Sequence, residues 1–119
     1  MLVDSSFNSI DDGKYALTEI HHTDTGHTIR VQVHRDSYRA QSYARVEVLT
    51  PDLAWTTLAT TPAGDWHPAT PYLGATPAAL QPIADTLTSR AARILAHHTT
   101  PAPGPAGGRG RSRPSRQPA

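Results

Sequence analysis

Apolar side chains recur at every second position through Thr28-Ile29-Arg30-Val31-Gln32-Val33-His34. Ile29, Val31 and Val33 therefore share one face of an extended segment, and Arg30, Gln32 and His34 share the other. This is the pattern of a half-buried β-strand. The run before it, Tyr15 to His22, is joined to it through Thr23-Asp24-Thr25-Gly26, where Asp tolerates the left-handed region and Gly supplies positive φ without a Cβ clash, so the two runs form a hairpin. Pairing His22 with His27 sets Ile20 opposite Ile29 and Thr18 opposite Val31, and it places Glu19 opposite Arg30 on the outer face as a cross-strand ion pair.

A third strand is expected from Tyr38 to Leu49. Ala40, Ser42, Ala44, Val46 and Val48 occupy its inner parity, and Arg39, Gln41, Tyr43, Arg45 and Glu47 its outer one. The small inner residues leave room for a helix to approach closely. The next segment, Thr50-Pro51-Asp52-Leu53, reads in two ways. As a turn, it opens a fourth strand over Leu53 to Thr60 with Trp55 and Val48 facing inward; as a Thr cap with Pro at the first helical position, it opens a short helix. Trp55 and the threonines around it suit the strand better. Residues 1–13 read as an arm that Phe7 fastens to the domain edge before the turn Asp11-Asp12-Gly13.

From Thr61 to Pro77 the chain is irregular, with Trp66, Tyr72 and Leu73 available to pack it down. A helix is then expected from about Gln81 to His98, with a turn before it at Thr76-Pro77. Leu80, Ile83, Ala84, Leu87, Ala91, Ile94 and Leu95 form its apolar face. The whole predicts a single small α+β domain over residues 1–98, a three- to four-stranded antiparallel sheet covered on one face by a C-terminal helix. Residues 99–119 are rich in Pro, Gly and Arg and have no apolar period, so a disordered basic tail is expected.

Charge divides the chain at the same place. The formal net charge is +1, yet residues 1–100 carry all ten acidic side chains and seven of the basic ones, while Arg109, Arg111, Arg113 and Arg116 lie in the tail. The body is thus net negative and the tail positive. Cysteine is absent, which excludes disulfides, thiolate metal sites and a cysteine nucleophile. No run is apolar enough to span a bilayer, and the first residues lack the basic start and apolar core of a signal peptide, so no membrane partner and a cytoplasmic location are expected.

Candidate chemistry is sparse. His22 and His27 can meet across the hairpin beside Asp24, which would offer a divalent metal three ligands, but an exposed polar pair at a turn accounts for them more simply. Ser37, His34 and Asp36 supply the components of a triad without a nucleophile elbow around the serine, and neither a phosphate-binding glycine loop nor an HExxH helix occurs. No catalytic residue, metal or cofactor is assigned, and the expectation is that the protein is not an enzyme. The sheet's outer face is the candidate binding surface, formed by Tyr15, Arg30, Gln32, His34, Arg39, Gln41, Tyr43 and Arg45. Its aromatics and cations suit a protein partner or self-association, or single-stranded nucleic acid held by the face and the tail arginines. Glu19 and Glu47 within it fit an ordinary solvated face instead.

The stretch Arg35-Asp36-Ser37-Tyr38-Arg39-Ala40-Gln41-Ser42-Tyr43, with Val46 to Pro51, Trp55 and Trp66-His67, resembles small proteins of GC-rich actinobacteria that have no assigned function. The resemblance spans about residues 8–98. It implies a compact accessory domain and transfers no site residue.

Overall fold

A computed structural model describes residues 1–98. Five antiparallel strands, β1 (Leu2–Asp11), β2 (Lys14–His22), β3 (Thr28–Arg35), β4 (Tyr43–Leu49) and β5 (Trp55–Thr61), form one sheet in sequential order. A single helix, α1 (Pro77–His98), lies across one face and touches β2, β3, β4 and β5. This is an α+β fold with one strand more than the sequence pattern implied. The addition is β1, expected as a loose arm: Phe7 packs against the core as anticipated, but the backbone around it pairs with β2 from Leu2 to Asp11. A run of Asp, Ser and Asn with few apolar residues gives no strand periodicity, and what recruits it is the open edge of β2.

The core lies between sheet and helix. Tyr15, Leu17, Ile29, Val31, Val33, Ala44, Val46 and Ala59 meet Leu80, Ala84, Leu87, Ala91 and Leu95, all buried. Alanines on both layers keep helix and sheet close, as the small inner residues predicted, and Trp66 closes one end of the core with its indole N–H donating to the Thr61 carbonyl at 3.4 Å. The helix begins a turn earlier than expected, at Pro77, where a missing N–H costs nothing. Pro82 then falls in the second turn at an exposed position, where it has no N–H to donate to the carbonyl of the likewise exposed Ala78.

One expected register and one strand boundary are corrected. His22 pairs with Thr28, not His27, so Glu19 lies opposite Val31 and Ile20 opposite Arg30. The one-residue difference turns Tyr15 and Leu17 inward and Ala16, Thr18 and Ile20 outward. Burying a Tyr and a Leu outweighs burying Ala16 and Ile20, even though Glu19 goes in with them. Arg30 consequently pairs with Glu47 of β4 rather than with Glu19. The third expected strand is also shortened. Residues Arg39–Gln41 form a 3₁₀ turn, and β4 starts at Tyr43 because the β3–β4 loop is cinched from within: the Ser42 hydroxyl accepts the Asp36 N–H at 2.8 Å, and the Asp36 carboxylate accepts the Tyr38 N–H at 3.3 Å.

The strand reading of Leu53 to Thr60 holds, with β5 running from Trp55 to Thr61, but not its facing. Val46 pairs with Ala59 while Glu47 pairs with Thr57, so Leu58 is a bulge that reverses the parity of everything before it. Trp55 therefore leaves the core side and joins the outer face.

The β2–β3 and β4–β5 turns share one construction. Thr23 N–H donates to the His27 carbonyl, Gly26 N–H to the Thr23 carbonyl, and His27 N–H to the Thr23 hydroxyl; Thr50, Leu53 and Ala54 repeat these three bonds. The residue before the last takes positive φ in both, +84° at Gly26 and 64° at Leu53, so the second turn carries a Cβ strain that the first avoids. Gly13, at φ +74°, closes the β1–β2 turn against Arg35 and Tyr72; a Cβ there would stand 2.8 Å from each side chain. Arg35 is itself buried, donating to the Gly13 carbonyl and the Thr70 hydroxyl between the rings of Tyr15 and Tyr72.

Candidate binding surface

With α1 on one side, the opposite face of the sheet is left uncovered by any described element. Its side chains follow from the β3–β4 register, which places Arg30 opposite Glu47, Gln32 opposite Arg45 and His34 opposite Tyr43. Each pair makes a specific contact. Arg30 donates to Glu47 Oε1 through both Nε and Nη2 at 2.9 Å, and Arg45 Nε donates to Gln32 Oε1 at 3.0 Å while lying 3.9 Å from the same Glu47 oxygen. His34 stacks on Tyr43 with ring centroids 4.6 Å apart and planes 12° from parallel.

Two cation–π contacts join these pairs lengthwise. The Arg45 guanidinium stands 4.8 Å from the Tyr43 ring centre and that of Arg30 4.4 Å from Trp55. The outcome is one chain of contacts, Trp55, Arg30, Glu47, Arg45, Tyr43, His34, crossing β3, β4 and β5. Glu47 is its pivot: with a side chain only 8 % exposed, it is shared by two arginines. Burial, with the Arg45 charge adding to it, lowers the His34 pKa below its ordinary 6.5, so the ring favours its neutral form. Beside His34, a cleft of about 180 Å³ opens over the small residues Ala16 and Thr18 of β2 and is bounded by Asn8 and Lys14.

Five of the eight expected surface residues, Arg30, Gln32, His34, Tyr43 and Arg45, are thus brought together. Three are not. Tyr15 is 2 % exposed on the helix side, where its hydroxyl donates to the Pro71 carbonyl at 2.6 Å; the register correction moves it there. Arg39 and Gln41 are exposed in the 3₁₀ turn rather than on the sheet, because the strand begins after them. Arg109, Arg111, Arg113 and Arg116 lie outside the described residues. Sequence reasoning missed Trp55, whose inward placement ignored the bulge, and read Glu47 as a mark of an ordinary solvated face when it is the acid that organises the surface.

The candidate metal ligands and the candidate triad residues make other contacts among the described residues. His27 Nδ1 lies 2.7 Å from the Thr25 hydroxyl, and among the described residues no group of three or more His, Cys, Asp or Glu side chains is placed to hold a metal. Ser37 donates to the Asp12 carbonyl and His34 is stacked on Tyr43, so the two side chains are engaged with other partners. Comparison with protein families, curated proteins and solved structures finds no match for this chain.

Proposed function

We propose that the protein is a non-enzymatic interaction domain that docks a protein partner, or a second copy of itself, on the uncovered face of its sheet. The observation that carries this reading is the contact chain from Trp55 to His34. Trp, Tyr and Arg are the residues that concentrate binding energy in protein interfaces. Here they are held by one another before any partner arrives, so little side-chain entropy remains to be lost on docking. Glu47 offsets one of the two arginine charges, and the weaker positive field that remains suits a polar protein surface better than a phosphate backbone. The net-negative body points the same way.

A second reading rests on a different observation. The stacked His34–Tyr43 pair stands beside a cleft floored by Ala16 and Thr18 and edged by Lys14, an arrangement that suits an unstacked base with its phosphate. Titration of a single-stranded oligonucleotide at two salt concentrations separates the two readings. The interaction domain shows no binding at physiological salt, and light scattering or pull-down detects a dimer or partner lost on Tyr43→Ala or Arg45→Ala. Salt-sensitive oligonucleotide binding abolished by Tyr43→Ala establishes the second reading in its place.

A further inference from the structure

The helix side of the sheet holds a polar group that the proposed interaction surface does not use. Glu19 faces α1 with its side chain only 4 % exposed, and no Lys or Arg contacts it among the described residues. Its Oε1 lies 3.0 Å from His21 Nε2, and its Oε2 accepts from the Gln81 amide at 2.9 Å. A carboxylate oxygen only accepts, so a neutral His21 ring bonded to it carries its proton on Nε2 and presents Nδ1 as its lone-pair nitrogen. Nδ1 has no partner among the described residues.

His21 forms part of the wall of a cleft of about 410 Å³ between the end of the β2–β3 hairpin and the second half of α1. That volume falls among small-molecule sites, which span roughly 300–1,000 Å³. Ile29, Ala92 and Ala96 give it apolar ground, with the alanines leaving space that a larger helix residue would fill. Three charged groups stand beside it: the Arg93 guanidinium, the N-terminal ammonium of Met1, which donates to the His22 carbonyl, and the Asp24 carboxylate; Arg93 and Asp24 make no ion pair or side-chain hydrogen bond with the described residues. The cleft therefore offers an anion a guanidinium and an ammonium, a hydrogen-bond donor a lone pair, and an apolar body the side chains of Ile29, Ala92 and Ala96. Two nearby carboxylates, Asp24 beside the cleft and Glu19 behind His21, offset the two cations, so the cleft has no surplus positive charge to hold a dianion, which favours a single carboxylate over a phosphate monoester or a diacid.

We propose that this cleft binds a small monocarboxylic acid with an apolar body and a hydroxyl or N–H donor, its carboxylate meeting Arg93 and its donor meeting His21 Nδ1. The site is on the helix side of the sheet and independent of the outer-face reading. The probe is 4-hydroxyphenylacetate, titrated at millimolar concentration into the full chain and followed by amide NMR shifts. Saturable shifts are expected at Ile29, Ala92 and Ala96. His21→Ala would leave the Glu19 carboxylate short of a partner and endanger the fold, so the test uses helix positions exposed to solvent. Arg93→Gln weakens binding by at least about tenfold, the loss expected for one charge-assisted contact. Ala92→Phe fills the cleft and abolishes binding, the methyl ester of the probe does not bind, and Tyr43→Ala on the opposite face leaves affinity unchanged. Three results overturn the proposal: no saturable shift in the folded wild-type chain, shifts that survive Ala92→Phe, or equal binding of acid and ester with Arg93→Gln silent.

Discussion

The two faces of this sheet are built from the same five strands and hold together by different physics. The helix face is a close-packed apolar layer in which Ile29, Val31, Val33 and Val46 have no solvent exposure, and its stability comes from surface removed from water. The outer face buries no comparable layer; it is ordered by cross-strand pairs, with an acid shared by two arginines and two cations laid on aromatic rings. The first kind of face fails when a polar group enters it, the second when a partner is removed. The contrast explains why the outer face is available for binding: its contacts are worth a kcal/mol or so each and can be exchanged for a partner's.

The sharpest way to test the contrast is to place the same side chain on each face. Val31→Asp puts an unpaired carboxylate under α1 and is expected to cost more than about 4 kcal/mol, enough to unfold a small domain. Gln32→Asp, one residue along and facing outward, is expected to cost less than about 1 kcal/mol. Equal melting temperatures for the two variants would refute the assignment of faces.

Glu19 is the exception that tests the rule from within, an acid on the apolar face. Glu19→Ala leaves the His21 ring without its carboxylate and the Gln81 amide with Asp85 as its one remaining acceptor, and it opens a void beneath the helix. A loss of about 2–4 kcal/mol is expected by denaturant titration. A neutral result would mean that the carboxylate is a tolerated accident of register rather than a part of how α1 docks.

On the outer face, Glu47→Ala should cost less, about 1–2 kcal/mol, because the released arginines can reach water. Its larger effect should be on order. With the pivot gone, Arg30 and Arg45 lose the anchor that holds them near Trp55 and Tyr43, and quenching of Trp55 fluorescence by an external quencher should rise. Unchanged quenching would show that the aromatic contacts hold the arginines without the acid.

The difference between the faces also decides what the sequence revealed. Strict alternation in Ile29, Val31 and Val33 is imposed by a two-sided environment, and it located β3 and the apolar stripe of α1. Where the inner parity was mixed, as in Tyr15, Leu17, Glu19 and His21, the match of Ile20 with Ile29, with the expected ion pair between Glu19 and Arg30 agreeing, outvoted the two large apolar residues and shifted the register by one. Charge pairs are weak and interchangeable, since Arg30 finds Glu47 just as well, whereas a buried Tyr and Leu have no substitute. The outer surface was readable as composition but not as membership. Tyr15 left it through the register, Arg39 and Gln41 left it when Ser42 and Asp36 closed the loop early, and Trp55 entered it through a bulge at Leu58 that no local signal marks. β1 was missed as a strand because its pairing partner, not its own pattern, makes it one.

The smallest effect tests how dry the outer face is. His34 sits at the end of the contact chain, and burial, with the Arg45 charge in second place, lowers its pKa below 6.5. The unfolded chain therefore takes up this proton at a higher pH than the folded protein does, and where the unfolded state holds more protons, stability falls as pH falls. The contribution of neutral His34 is fully present above pH 6.5 and is lost as the pH drops through the folded value. Because burial is the larger cause, Tyr43→Ala, which uncovers the stacked ring, should raise the folded pKa by more than Arg45→Gln, which removes the neighbouring charge. An NMR titration of the imidazole carbons in the two variants reads the order directly. If Arg45→Gln gives the greater rise, the face is wetter than its geometry implies, and charge rather than packing governs how a partner would be received there. If Tyr43→Ala does, the stacked pair is a small apolar contact set into a polar surface, and a partner that inserts a flat group beside it should bind more weakly once the pH falls through the lowered folded pKa and His34 takes up its proton.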